Sequence, residues 1–355
     1  MPANLPRGGP KPAGDAGRVP RRRAGQARVL GLAALGVVVA VFLSLAIGAG
    51  IGANRVGPGE ALAVLAGGGD DWAQTVVRDL RLPRTVAGLI VGLALGIAGV
   101  VLQSAVRNPL AEPGLLGISA GAAFAVVLAI HFGASTLTLG VWVAVVGALA
   151  GCGIALLVAR VQGDGEDPLR LILAGAALSG MLGATTSLLL LGNQRTADEL
   201  RFWTIGALAG RSMGETVAVL PAIALGLVLV GSVARPLAAL ALGERVATGL
   251  GHRPRLVRVV AMTGVAFLVG GATAAAGPIA FVGLVAPFAA RALVGPDPRR
   301  ALVVSALLGP VLVLTADVLA RLLVRPSELP LGVVTAFVGA PVLVAVVRAR
   351  RVPTL

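Results

Sequence analysis

The sequence predicts an all-α integral membrane protein, a polytopic bundle of about ten transmembrane helices. Of its 355 residues, 57% are hydrophobic and only 13% charged, and the mean hydropathy is +0.93. No soluble domain with a single polar surface has that composition. Uncharged windows of roughly 20 residues, the length that crosses a hydrocarbon core, recur along most of the chain. The formal charge of +14 is gathered mainly between those windows.

Residues 1–28 are rich in Pro, Gly, Ala and Arg and lack apolar periodicity, so a disordered basic tail is expected there. The transmembrane domain is expected over 29–349, and a second short tail over 350–355. The first window, 28–52, follows Arg21-Arg22-Arg23 in the manner of an export signal, but its apolar run exceeds the about 7–15 residues of a signal core. The second, 84–105, carries Gly88, Gly92 and Gly96 four residues apart, which lines them on one face and admits a neighbouring helix at close range. Windows at 114–133, 138–159, 169–192 and 213–233 follow. The seventh, 256–276, is parted from the eighth, 278–294, by Gly277-Pro278. Gly283 and Pro287 interrupt the eighth, and broken helix is tolerated in lipid only where protein or a wet cavity satisfies the freed backbone. It should therefore face the interior. The last two windows are 301–323 and 331–348. Two polar intervals stand out: the loop Asn108-Pro109-Leu110-Ala111-Glu112-Pro113-Gly114 between windows two and three, and the connection 235–258, long enough for two short helices.

Lys11 is the only lysine, so the basic excess is arginine set in loops, which reads as topology rather than as a nucleic-acid patch. Its clusters at the N-terminus, in 235–258, after window eight and at the C-terminus fall on one side of a ten-span chain. The positive-inside rule then places both termini in the cytosol, in a cytoplasmic (inner) membrane. Trp72, Trp142 and Trp203 map to the outer side, where indoles anchor at interfaces. A P-loop requires lysine after its glycine-rich turn, which excludes ATP hydrolysis by that route and leaves no catalytic residue to nominate. Cys152, His131 and His252 are too few and too scattered for a disulfide or a metal site. Asp317 is the one acid well inside a window, and its i, i+4 spacing to Arg321 reads as an intrahelical ion pair. Three classes remain open: a transporter permease, a proton-coupled carrier that uses Asp317, and a membrane scaffold without transport.

Several motifs in order identify a resemblance: Arg81-Leu82-Pro83-Arg84, Asn108 to Gly117, Leu242-Gly243-Glu244 with Gly249-Leu250-Gly251, Gly277 to Pro287, Ala316-Asp317 with Ala320-Arg321, and Glu328 to Ala336. Over about 30–349 the chain resembles the FecCD permeases of ABC importers for iron-siderophores, haem and cobalamin. Phe288 departs from that pattern, where the family often has His. The resemblance implies a type II ABC importer permease: ten helices per protomer and a second permease protomer, in a homodimer or heterodimer. It also implies two cytosolic ATPase subunits that hold ATP and Mg, and an extracytoplasmic substrate-binding protein. It implies docking of that binding protein by Arg81, Arg84 and Arg321. Coupling to the ATPases is implied for Glu244, Arg245, Gly249, Leu250 and Gly251. A gate or broken-helix region falls on Asn108, Pro109, Glu112, Pro113, Gly114, Gly277, Pro278 and Pro287. Among cargoes, the pattern from Asn108 to Gly121 resembles siderophore permeases most, ahead of haem or cobalamin.

Overall fold

The computed structural model describes residues 18–46, 56–134, 141–161, 168–200, 203–324 and 327–348, and among them every regular element is helical. The first helix, α1, spans Arg18–Ala46, and two short helices follow, α2 (Pro58–Leu65) and α3 (Asp71–Thr75). A π-helical turn over Val76–Arg81 leads directly into α4 (Leu82–Val106). Next come α5 (Ile118–His131), α6 (Val141–Val161), α7 (Pro168–Gly192) and α8 (Gln194–Leu200). After a 3₁₀ turn at Trp203–Ile205 the chain forms α9 (Met213–Ala218), α10 (Leu220–Ala241), α11 (Glu244–Gly249) and α12 (Pro254–Ala276). It ends with α13 (Val282–Val294), α14 (Pro298–Leu323) and α15 (Leu331–Arg348).

Among the described residues, seven helical stretches are long and apolar enough to cross a membrane, and α5, α13 and α15 are shorter apolar helices. Each of the ten predicted windows is therefore occupied by helix. Three local expectations change. Helix α1 starts at Arg18, inside the segment 18–28 assigned to the tail, because arginine and alanine are good helix formers and the apolar run stabilises the turns before it; residues 1–17 and 350–355 of the expected tails lie outside the described residues. In the interval 235–258, the first half continues α10 through Pro236, leaving α11 as its one separate helix. Trp203, expected at an interface, is buried.

Helix α4 is the centre of the bundle. Of an apolar 18-residue window in its span 78% is buried, against 6% for α7, so α4 is the scaffold, while α7, which packs on α5 and α6, leaves much of its surface open. The glycine face explains how α4 is enclosed. A Cβ on Gly92 would sit 2.5 Å from the Pro310 nitrogen of α14, and one on Gly96 would sit 2.4 Å from the Ser305 carbonyl oxygen. Ser305 Oγ closes this contact by donating to the Gly96 carbonyl at 2.8 Å. On the other side Gly99 meets the backbone of Gly283 at the start of α13. Small residues thus let α14 and α13 approach the α4 backbone, the packing that substitutes for a hydrophobic drive between helices in lipid.

Candidate functional site

Where α1 finishes and α4 begins, charged side chains gather in the interior. Arg81 gathers backbone carbonyls from α1 and from the chain before α2: Nη1 donates to the Leu45 oxygen at 2.7 Å and Nη2 to the Val56 oxygen at 3.0 Å. Arg84, three residues on, forks between two acids, with Nη2 2.8 Å from Asp317 Oδ1 and Nη1 2.8 Å from Glu328 Oε2. Arg321 Nη2 lies 2.9 Å from Asp317 Oδ2, and Nη1 donates to the Ser44 carbonyl at 3.1 Å. The i, i+4 pair of Asp317 and Arg321 is therefore present, joined by an Arg84 partnership that spacing did not disclose. Arg81 and Arg321, expected with Arg84 as docking arginines, are both buried, at 6% and 3% exposure. Their guanidinium groups satisfy backbone carbonyls and a carboxylate. Arg84 is largely enclosed, and among these side chains only Glu328 keeps appreciable access, at 27%.

The expected gate residues separate into two groups. In the first, α4 ends on Arg107 in a left-handed conformation (φ 55°), and Asn108 Oδ1 accepts from the Leu110 amide at 2.8 Å, turning the chain back at Pro109. The loop carries Glu112 and Pro113 to the start of α13. There the Glu112 carboxylate accepts the Phe281 amide, filling the place of an N-cap from another part of the chain. Burial raises the Glu112 pKa above its ordinary 4.5, partly opposed by the hydrogen bond from Phe281. Pro113 packs on Gly283, and the Gly114 carbonyl accepts from Ser179 Oγ of α7 at 2.8 Å. Pro287 belongs here too. Having no N–H, it leaves the Gly283 carbonyl without its helical donor, and Gln103 Nε2 of α4 approaches that oxygen at 3.5 Å. Gln103 Oε1 in turn accepts from buried Arg291.

Gly277 and Pro278 lie elsewhere, among three non-helical segments. A Cβ on Gly277 would fall 2.0 Å from the Trp203 carbonyl oxygen, and one on Gly332 would fall 2.1 Å from that of Ile205. Ala207 N donates to the Ala276 carbonyl at 2.8 Å and Gly332 N to that of Gly206 at 3.3 Å. Beside these contacts lies an open, mostly apolar surface groove of about 810 Å³ lined by Thr204, Ile205, Pro278, Ala280, Val333 and Phe337. Irregular backbone within an apolar bundle belongs where protein or a cavity satisfies it.

The expected coupling residues form one protruding feature. Gly243 (φ 123°) starts α11 and Gly251 (φ 80°) follows it, both in conformations that only glycine adopts without strain. Glu244 and Arg245 open the helix and Gly249 closes it. Ala247 is its buried anchor, while Leu242, Val246, Leu250 and Leu256 are exposed by 72%, 44%, 63% and 57%. Around them a surface depression of about 1140 Å³ is bordered by Arg107, Arg245, Arg253 and Arg255. Exposed leucines with a basic rim have the form of a protein interface, an apolar centre inside a polar border. Glu244 pairs with Arg258 of α12, a residue the motifs did not single out.

Several membrane-crossing helices, a groove beside broken helix and a protruding polar-end helix define a multi-pass transport permease. The chain belongs to the FecCD transport family, whose profile matches residues 36–349. It is 41% identical over 318 residues to the ferric enterobactin transport system permease protein FepD of Escherichia coli (strain K12), covering 89% of this chain and 95% of that one. The iron(3+)-hydroxamate import system permease protein FhuG of Bacillus subtilis (strain 168) is 38% identical over 324 residues, 88% and 94% of the two chains. The cobalamin import system permease protein BtuC of Halobacterium salinarum is 37% identical, over 82% of this chain and 79% of that one. A solved metal-chelate type ABC transporter in an inward-facing conformation is similar with a TM-score of 0.77 and 29% identity, covering 91% of this chain and 99% of that one. The chain is thus of the siderophore and metal-chelate ABC importer permease family.

Proposed function

We propose that the chain is the permease subunit that moves a ferric siderophore across the cytoplasmic membrane by alternating access, driven by two separate ATPase subunits that bind ATP and Mg. The carrying observation is α11: an exposed apolar helix at the arginine-rich end of a FecCD chain is suited to seat a soluble partner. Both termini then lie in the cytosol beside it. The binding protein docks at the opposite end, where Arg84 can exchange carboxylate partners while Arg81 and Arg321 hold the scaffold.

The open surface of α7 and the exposed Phe337 of α15 offer a surface to a second permease protomer, so that the groove near Thr204 and Phe337 opens onto a shared pathway. A broad apolar wall suits a bulky chelate selected beforehand by the binding protein. The similarity to FepD and FhuG favours a siderophore over cobalamin. The test is reconstitution with the cognate ATPase and binding protein, comparing wild type with a Leu242→Asp/Leu250→Asp double variant. ATP-dependent uptake of ferric siderophore, lost in the variant together with ATPase co-purification, supports the reading. Uptake that follows a proton gradient without ATP would refute it.

A further inference from the structure

The docking helix is bounded on both sides by glycine. Gly243 before it and Gly251 after it both hold positive φ, and a Cβ at either would meet nothing within 4 Å, so these glycines serve backbone rotation rather than close packing. Besides the buried Ala247, its side chains reach the bundle centre through an ion pair. The Arg258 guanidinium pairs with Glu244 of α11 through Nη2, and its Nε donates to the Ala105 carbonyl of α4 at 3.3 Å. That oxygen belongs to the last turn of α4, where carbonyls lack helical partners and the helix dipole favours a cation. Just beyond it begins the 107–117 loop, with Glu112 on the start of α13 and Gly114 on Ser179 of α7. A continuous series of polar contacts therefore runs from α11 through Arg258 and the end of α4 to the gate loop and α7.

We propose that Arg258 is a positioning residue that converts displacement of α11 by the ATPase into movement of the α4 terminus and the 107–117 loop. The proposal rests on the reading of α11 as the ATPase-docking element. A planar guanidinium with two fixed attachment directions suits the task, since moving its carboxylate partner reorients the whole fork. A lysine at this position has no second, rigidly placed donor for the Ala105 oxygen.

The experiment uses the full complex in lipid nanodiscs and proteoliposomes, in a Cys152→Ala background with a spin label at Leu115→Cys, a half-exposed site in the loop. Arg258→Gln, Arg258→Lys and the exchange Glu244→Arg/Arg258→Glu are compared with wild type. Expected for Arg258→Gln are retained ATPase co-purification and ATP hydrolysis, uptake reduced by about 2- to 30-fold, the range reached by coupling residues, and loss of the nucleotide-dependent spectral change at position 115. Arg258→Lys should restore less than half of that change, and the exchange should recover uptake above Arg258→Gln. An undiminished spectral change in Arg258→Gln overturns the proposal. So does loss of ATPase binding in that variant while wild type binds, because Arg258 would then only shape the docking surface. Failure of wild type itself to bind the ATPase refutes the docking reading and the relay with it.

Discussion

Replacing Asp317 by asparagine tests whether the buried charge cluster is scaffold or transport chemistry. The Asp317 side chain is 1% exposed and receives Arg84 Nη2 at 2.8 Å and Arg321 Nη2 at 2.9 Å. Without its charge, Arg84 keeps Glu328 and Arg321 keeps Ser44 in a poorly solvated space. Breaking a buried pair costs about 3–5 kcal/mol, and the remaining Glu328 contact argues for the lower end, about 3 kcal/mol. At about 2 °C per kcal/mol for a chain of this length, the unfolding midpoint should fall by about 6 °C. Glu328→Gln removes a pair whose acid is 27% exposed, worth about 0–1 kcal/mol, so it should shift the midpoint by no more than about 2 °C. The assay is thermal unfolding of the purified protein in detergent, followed by tryptophan fluorescence. Adding Arg321→Met to Asp317→Asn should recover part of the loss by removing one buried cation from beside the neutralised position. The reasoning fails if Asp317→Asn melts no lower than Glu328→Gln. If it melts like wild type yet abolishes uptake, Asp317 is a proton-coupling group and the carrier reading returns.

Two further outcomes follow from the packing and the gate loop. Gly92→Val should prevent accumulation of folded protein in the membrane, since even its Cβ would sit 2.5 Å from backbone of α14, whereas Gly59→Ala, with nothing within 4 Å, should accumulate normally; equal yields would refute the close approach. Glu112 has a raised pKa in the folded state, so its contribution to stability is fullest below 4.5 and declines as pH rises through the raised value. Glu112→Gln keeps an acceptor for the Phe281 amide but cannot ionise, so the wild type should lose stability relative to it as pH rises above the ordinary carboxylate range and through the raised value. Parallel melting curves would overturn that assignment.

The ten helices were legible because lipid imposes a length and an apolar composition on every span, and Gly277-Pro278 with Pro287 announced the broken segment. The glycine face of α4 was legible for the same kind of reason, since a four-residue spacing fixes a helix face. What the sequence could not supply was which polar side chains meet across the bundle. Arg84 and Asp317 are 233 residues apart, and nothing local distinguishes an arginine that reaches outward from one that turns in to a carboxylate. Gln103 offered a signal that was passed over: a lone amide in an otherwise apolar window needs a partner, and it has two, the Gly283 carbonyl and Arg291.

The three arginines expected to dock a binding protein differ in how far the bundle encloses them. Arg81 is the last residue of a π-helical turn, and that extra residue per turn rotates the side chains preceding α4. At that level backbone carbonyls face it, and leaving them bare would cost more than an exposed ion pair with a soluble partner returns. Arg81 is therefore held by Leu45 and Val56, and Arg321 by Asp317 and Ser44. Arg84 differs, because one of its two acids, Glu328, lies in the connection between α14 and α15 and remains partly open to water. An arriving carboxylate could displace Glu328 without uncovering a buried carbonyl. If docking works through this cluster, Arg84→Gln should weaken binding-protein affinity in a salt-sensitive manner while Arg81→Gln chiefly lowers the melting temperature; equal losses of affinity in the two variants, with unchanged melting, would assign docking to both.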